Sequence, residues 1–332
     1  MYDLGNLELE IPKNEWEFPN KGAMESTERL YFHTMTKYDV EEKLKVDDTI
    51  IIPVGSTENH GNAGPIGEDT FIVSRIAEMV ARKTGTTIAS PIWYGSHPFH
   101  HIGQPLTIPL SDDVFISYLK AIISGFWNTG FRKQIFISMH GQEYSLPVAL
   151  QEWGKKYQVP AMLMFADIPR VMGSTLMDKK HGGPYERPFQ HACGAEQSIS
   201  MALFPEFCRQ DKAEDTDVKG VLPPGHVDRG GDIYGYPLPG HCAVGHAGIE
   251  VVTTPQGVLG HAKEANAELA KPSIERVCDY LVKLHDDILD VCPVGKLPDS
   301  EFLSQRDPKE LEALLKGPMN GGRHIYTVAW PS

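Results

Sequence analysis

The chain has 332 residues, of which 41% are hydrophobic and 23% charged, an ordinary balance for a soluble globular protein with a sizeable core. A formal net charge of −13 and a pI near 5.5 argue against nucleic acid or an anionic membrane surface as a partner, because both require a basic patch, and leave a small molecule as the expected substrate. Met1–Gly5 lack the basic and apolar regions of a signal peptide, no run approaches a membrane span, and Cys193, Cys208, Cys242, Cys278 and Cys292 are scattered without a Cys-x-x-Cys pair, so a cytoplasmic protein with neither a disulfide framework nor a thiolate zinc site is expected.

Residues 1–30 are polar and broken by Pro12, Pro19 and Gly22, and read as an N-terminal arm. Residues 31–292 read as a single α/β domain and 293–332 as a C-terminal extension. A short helix falls within 31–46. The apolar run Thr49–Val54, bounded by Gly55, is a buried strand. A loop containing Gly61, Gly64, Pro65 and Gly67 leads to a helix predicted from about Phe71 to Lys83. A strand over Thr87–Ile92 follows, then a helix opened by Ser111-Asp112-Asp113, with Phe115, Leu119 and Ile122 on its apolar stripe. The pattern continues with a strand over Gln134–Met139, a helix over Leu146–Tyr157, a strand over Pro160–Phe165 and a helix from Gly194 to Phe204. Residues 220–248 are rich in Gly, Pro and His and read as a long loop or lid. The last helix runs from Gly260 to about Asp290, interrupted or kinked at Pro272. Strands alternating with helices predict a mostly parallel sheet covered on both sides, with sites where strand C-terminal ends meet the following loops.

The polar clusters fall at such ends. Glu58 and His60, two apart on extended backbone, point to one face, and Asp69 can return to them as a third ligand. His140 ends the third strand ahead of Gly141. Glu196 lies in the first turn of the helix at Gly194, where the helix dipole alone also favours a carboxylate. Glu58, His60, Asp69, His140 and Glu196 form a mixed carboxylate and imidazole set without thiolate, suited to two divalent ions such as Zn²⁺ or Mn²⁺, with Glu143 competing with Glu196 for the last position.

These motifs resemble the creatininase (creatinine amidohydrolase) family. The likeness rests on Gly55-Ser56-Thr57-Glu58-Asn59-His60-Gly61 with Asp69 eleven positions after Glu58, on His101–Thr107, on His140-Gly141-Gln142-Glu143, on His191–Ser198 and on Thr254–Gly260, all in order. The resemblance implies a three-layer α/β/α fold with a mostly parallel central sheet, and a homo-oligomer, the family often forming hexamers. It implies one metal on Glu58, Asp69 and His140 and another on His60, Asp69 and Glu196, bridged by Asp69, with His191 donating or accepting the proton as hydroxide attacks a carbonyl.

Met139 in place of Asn, Gln142-Glu143 in place of Gly-Asn, and Gly194 in place of an acidic residue depart from the family pattern and point away from creatinine. His101, Gln142, Glu143, His226, Asp228, Arg229 and Tyr234 are the expected substrate-binding residues, a lining that suits a polyhydroxylated ring. The favoured reading is the family branch that opens keto-inositol rings by cleaving a carbon–carbon bond between neighbouring carbonyls, which belongs to inositol catabolism. The rival is a cyclic amide or formamide hydrolase. A third reading, from another class, is a non-catalytic carbohydrate-binding or scaffold protein.

Overall fold

The computed structural model describes residues 9–98, 101, 103–142, 144–217, 254, 256–299 and 304–329. The expected loop over 220–248 therefore lies outside the described residues. Four parallel strands form the sheet, β1 (Thr49–Val54), β2 (Thr87–Ile88), β3 (Lys133–Ser138) and β4 (Met162–Asp167), in the order β2-β1-β3-β4. β1 and β3 are in register from Thr49↔Lys133 to Val54↔Ser138, and β3 and β4 from Lys133↔Met162 to Ser138↔Asp167. All residues of β1 and β3 are buried, as expected for central strands covered on both faces.

Alternation along β1 separates the two sides of the sheet. Ile51 packs with Ile72 and Ile76 of α2 (Glu68–Thr84), Ile199 and Leu203 of α6 (Gly194–Leu203), and Ile274, Val277 and Leu281 of α7 (Ala267–Val291). Ile50 and Ile52 face the other layer, where Phe115, Leu119 and Trp127 of α3 (Asp112–Thr129) meet Leu146 and Trp153 of α4 (Ser145–Tyr157). The result is the expected three-layer α/β/α arrangement. The shorter α1 (Lys37–Lys43) opens on a capping box between Thr36 and Asp39, and α5 (Ile168–Met172) follows β4 directly. None of the described helices is long and apolar enough to cross a membrane.

The residues flanking the layers are tied to them. The backbone N–H of Asn14, its Nδ2 and Trp16 Nε1 all donate to Asp279 Oδ1 on α7, at 3.0, 2.9 and 2.9 Å. At the other end, α8 (Pro308–Lys316) buries Leu314 beside α3, and Trp127 Nε1 donates to the Leu314 carbonyl at 3.2 Å.

Several expected element bounds differ. Helix α2 begins at Glu68 rather than near Phe71, so Asp69 sits in its first turn rather than in the loop. The acidic pair Glu68-Asp69 is what a helix N-terminus favours. Strand β2 stops at Ile88, because Ser90-Pro91 interrupts the ladder and the chain rejoins β1 only at the isolated bridge Val54↔Ile92. Helix α7 begins at Ala267, capped by the Asn266 side chain, rather than at Gly260, and runs unbroken through Pro272. The carbonyl deprived of its donor there belongs to Glu268, an exposed residue in the first turn of the helix, where water can satisfy it.

Candidate metal centre

The centre is built where β1 and β3 end. Gly55 follows β1 and packs against the backbone of Thr70 so closely that a Cβ would collide with it. That contact lays the loop after β1 on the first turn of α2. Ser56 Oγ consequently donates to Asp69 Oδ2 at 2.6 Å, and Thr70 Oγ1 to the Ser56 carbonyl at 3.2 Å.

Two faces of Glu58 and two of Asp69 divide the site. Glu58 Oε2 lies 2.8 Å from His140 Nδ1, and Glu58 Oε1 lies 2.6 Å from His101 Nδ1 and 3.5 Å from His191 Nδ1. Asp69 Oδ2 lies 3.2 Å from His140 Nδ1, whereas Oδ1 faces His60 Nε2 at 3.7 Å. Among the described residues, three groups gather donor atoms within 4.8 Å of one another: Glu58, His97, His101 and His140; Glu58, His60 and His191; and His60, Asp69 and Glu196. The five ligand positions expected from sequence thus converge, and Asp69 turns one oxygen to each half.

The histidines are oriented by their other nitrogens. His140 Nε2 is 2.9 Å from the Ser96 carbonyl and His60 Nδ1 3.1 Å from the Glu58 carbonyl. In the neutral ring a carbonyl at one nitrogen holds the proton there and leaves the lone pair of the other nitrogen to face the centre, the usual arrangement of a metal-bound imidazole. His60 Nε2 is buried without a hydrogen-bond partner among the described residues. Glu196 is set by its own helix start, where Ala192, in the left-handed region at φ 52°, turns its N–H onto Glu196 Oε2 at 2.6 Å. Oriented imidazoles converging on buried carboxylates that, among the described residues, have no Lys or Arg partner fit a pair of divalent cations.

The electrostatics fit that reading. Glu58, Glu68, Asp69 and Glu196 are all buried, and among the described residues every ion-pair contact of Glu58 and Asp69 is with a histidine. Burial works against the charged form of Asp69, but His60 and His140 outweigh it and hold the carboxyl well below its usual range. Burial likewise opposes the imidazolium of His140, and Glu58 and Asp69 reverse that, lifting it to about 10. Burial raises Glu196 well above the usual carboxylate range against the pull of His60, with Glu68 and Asp69 adding to it. Such crowding of buried acids is relieved by a bound cation.

His191 shares one donor group with Glu58 and His60 but lies outside the two expected ligand triads. Its side chain is 10% exposed, Nε2 is 2.8 Å from the Asn59 carbonyl, and Nδ1 faces Glu58. Burial lowers its pKa to about 4, so the ring is neutral at neutral pH. The loop over 256–260 closes behind it. Leu259 N–H donates to the His191 carbonyl at 2.9 Å, and Gly257, at φ 74°, presses on the Asn59 side chain where a Cβ would collide.

Of the residues expected to bind substrate, His101 lies in the centre against Glu58. Gln142 has another place: fully buried, its Nε2 donates to the Gly55 carbonyl at 3.1 Å and to Ser138 Oγ at 3.2 Å, bracing the ends of β1 and β3. Glu143, His226, Asp228, Arg229 and Tyr234 lie outside the described residues. Two residues outside the expected ligand and substrate-binding sets belong to the centre. Glu68 is buried with neither carboxylate oxygen meeting a hydrogen-bond partner among the described residues, and burial, against the pull of His60, raises it to about 7. His97 is buried beside His140, with ring centroids 4.4 Å apart.

Comparison with known proteins agrees with this geometry. The family model described as creatininase, creatinine amidohydrolase, matches residues 33–285. The chain is 52% identical over 306 residues to a 3-dehydro-scyllo-inosose hydrolase of Thermotoga maritima, covering 92% of this chain and 98% of the relative. Among solved structures, one titled "Creatininase Mn" matches with a TM-score of 0.61 at 18% identity, covering 82% of this chain and 100% of its own. A mutant creatininase of Zn-Zn type matches with a TM-score of 0.59 at 19% identity and the same coverage.

Proposed function

The chain belongs to the creatininase family, and on that premise we propose that it is a two-metal hydrolase that opens a keto-inositol ring of the 3-dehydro-scyllo-inosose type by hydrolysing a carbon–carbon bond beside a carbonyl. The observation that carries the substrate class is the 52% identity to the Thermotoga maritima hydrolase across 98% of that protein. The creatininase structures, at 18% and 19% identity, speak to the fold alone.

Glu58, Asp69 and His140 would hold one ion, and His60, Asp69 and Glu196 the other, with Zn²⁺ and Mn²⁺ the proposed occupants. Bound there, the two dications supply Lewis-acid polarisation of a carbonyl and a lowered pKa for water. The chain's own residues set the rest. Ser56 and the first turn of α2 hold the Asp69 carboxylate between the two halves. His191, neutral and with Nε2–H donated to Asn59, presents the Nδ1 lone pair to the centre and takes the proton of the attacking water there. The water oxygen bonds to the carbonyl carbon and the ring carbon–carbon bond breaks. Its electron pair passes to the carbon alongside the second carbonyl, and His191 Nδ1 returns the proton to that carbon. The product is a linear acid. An amide needs the same base and the same polarised carbonyl, so the geometry accommodates the rival cyclic amide chemistry as well.

The test is to incubate the metal-loaded protein separately with 3-dehydro-scyllo-inosose, creatinine and a formamide, following substrate loss and product formation by chromatography with mass detection. Ring opening of the inosose, at a kcat/KM at least about a hundredfold above the amides, is expected, a ratio typical of sites built for one set of polar groups. Turnover of the amides alone would overturn the substrate assignment.

A further inference from the structure

We infer that His97 is a fourth protein ligand to the ion held by Glu58, Asp69 and His140. The inference rests on the two-metal reading of the centre. His97 is 5% exposed, and neither of its ring nitrogens has a hydrogen-bond partner among the described residues. A buried imidazole with both nitrogens unmet is costly unless something else meets it.

The distances say what would. His97 Nδ1 lies 4.0 Å from Glu58 Oε2, too far for a hydrogen bond. Two donors bound to one zinc-sized ion at about 2.0–2.2 Å are separated by about 3 Å when at right angles and by about 4 Å when nearly opposite. The 3.2 Å from His140 Nδ1 to Asp69 Oδ2 and the 3.7 Å from His60 Nε2 to Asp69 Oδ1 fall in the same range. Glu58, His97, His101 and His140 donors also lie within 4.8 Å of one another. Of these, His101 approaches Glu58 Oε1, whereas His97 and His140 approach Oε2, so it is His97 that shares the ion's side of the carboxylate.

The backbone holds the ring for this role. Ser96, the residue before His97, accepts from His140 Nε2 through its carbonyl and pairs its hydroxyl with Ser145 Oγ at 2.7 Å. The His97 carbonyl accepts from the Tyr144 hydroxyl at 3.3 Å. One short segment therefore places both imidazoles, and their rings meet edge to face. With His97 the Glu58 half offers two imidazoles and two carboxylates, against one imidazole and two carboxylates in the His60 half. The Glu58 half is then the one that favours Zn²⁺ over Mn²⁺, since imidazole suits zinc and oxygen suits manganese.

The experiment strips the full-length protein with a chelator and titrates it with Co²⁺, recording the visible d–d absorption and the affinities against a competing chromogenic chelator. His97→Ala and the bulkier His97→Gln are compared with wild type, with far-UV circular dichroism confirming that each is folded. In at least one folded variant, one of the two sites is expected to lose about 100-fold in affinity, with a changed d–d band, and added imidazole should restore both in His97→Ala. Folded variants that bind two Co²⁺ with wild-type affinity and spectrum would overturn the inference and leave His97 as packing for His140. Should neither variant fold, the wild-type spectrum with one Co²⁺ bound decides: a weak band of octahedral, oxygen-dominated type would overturn it and an intense four-coordinate band would support it. Wild type holding fewer than one Co²⁺ per chain would instead sink the two-metal reading itself, a failure distinct from any seen only in the variants.

Discussion

Ser56 Oγ donates to Asp69 Oδ2 at 2.6 Å, joining the loop after β1 to the first turn of α2 inside the protein. Asp69 is the carboxylate that faces both His60 and His140, so this hydrogen bond orients the one group shared by the two halves of the centre. Replacing Ser56 by Ala should weaken divalent-ion binding about 10- to 100-fold, the usual cost of losing a partner behind a ligand, while Asp69→Asn should remove both ions. Metal content per chain after dialysis, by atomic emission, distinguishes the two. Equal, full occupancy in both variants would contradict the bridging role.

Gly55 allows the same approach of loop to helix. Gly55→Ala pushes a methyl into the Thr70 backbone, which cannot rotate away. A loss of about 1–3 kcal/mol in unfolding free energy is expected from such overpacking, together with weaker metal binding, because the displaced turn carries Asp69. Urea denaturation of the chelated protein reads the first effect free of the second.

His191 is expected to act on the proton and not on the metals. His191→Gln should lower kcat by about 10²- to 10⁴-fold and leave the ion content at the wild-type value. If the variant lost its metals in proportion to its activity, His191 would be a ligand and not the base.

The pair His285–Asp47 gives stability a pH dependence away from the centre. His285 Nε2 is 3.2 Å from Asp47 Oδ2 and Nδ1 is 2.9 Å from Asp286 Oδ1. Burial opposes the imidazolium, yet the two carboxylates outweigh it and raise the His285 pKa. A raised folded pKa stabilises the protein fully below the unfolded value of about 6.5, and the contribution fades as pH rises through the folded pKa. Asp47 behaves oppositely. Burial opposes its charge, but His285 and the Thr49 N–H lower its pKa, so its contribution is lost as pH falls toward that lowered value. His285→Gln should therefore cost about 1–2 kcal/mol near pH 5.5 and clearly less near pH 9, measured by urea denaturation at both. A constant cost across that range would contradict the ion pair.

Much of the centre was legible in the residues because strands impose a simple rule. Glu58 and His60 converge through the two-residue spacing of extended backbone, and His140, at the end of the neighbouring strand, arrives through parallel register. The three-layer fold followed from alternating strands and helices. What failed to show had no period to carry it. His97 lies in the irregular stretch between β2 and α3, where nothing in the spacing aims a ring. Glu68 was hidden by starting α2 three residues late, and an acidic pair ahead of an apolar helix was the signal available. Gln142 was expected at the substrate for its place after His140-Gly141, but its amide is used on the Gly55 carbonyl and Ser138, which only the packing of two strand ends reveals.

The central claim, a two-ion centre that hydrolyses a keto-inositol ring, is tested most directly by reconstituting the chelated protein stepwise with Zn²⁺ or Mn²⁺ and measuring the opening of 3-dehydro-scyllo-inosose at each equivalent. The expected result is little activity when stripped, activity that rises until about two ions are bound per chain, and none in Asp69→Asn at any loading. Full ring opening by protein holding well under one ion per chain, or by Asp69→Asn, would contradict it.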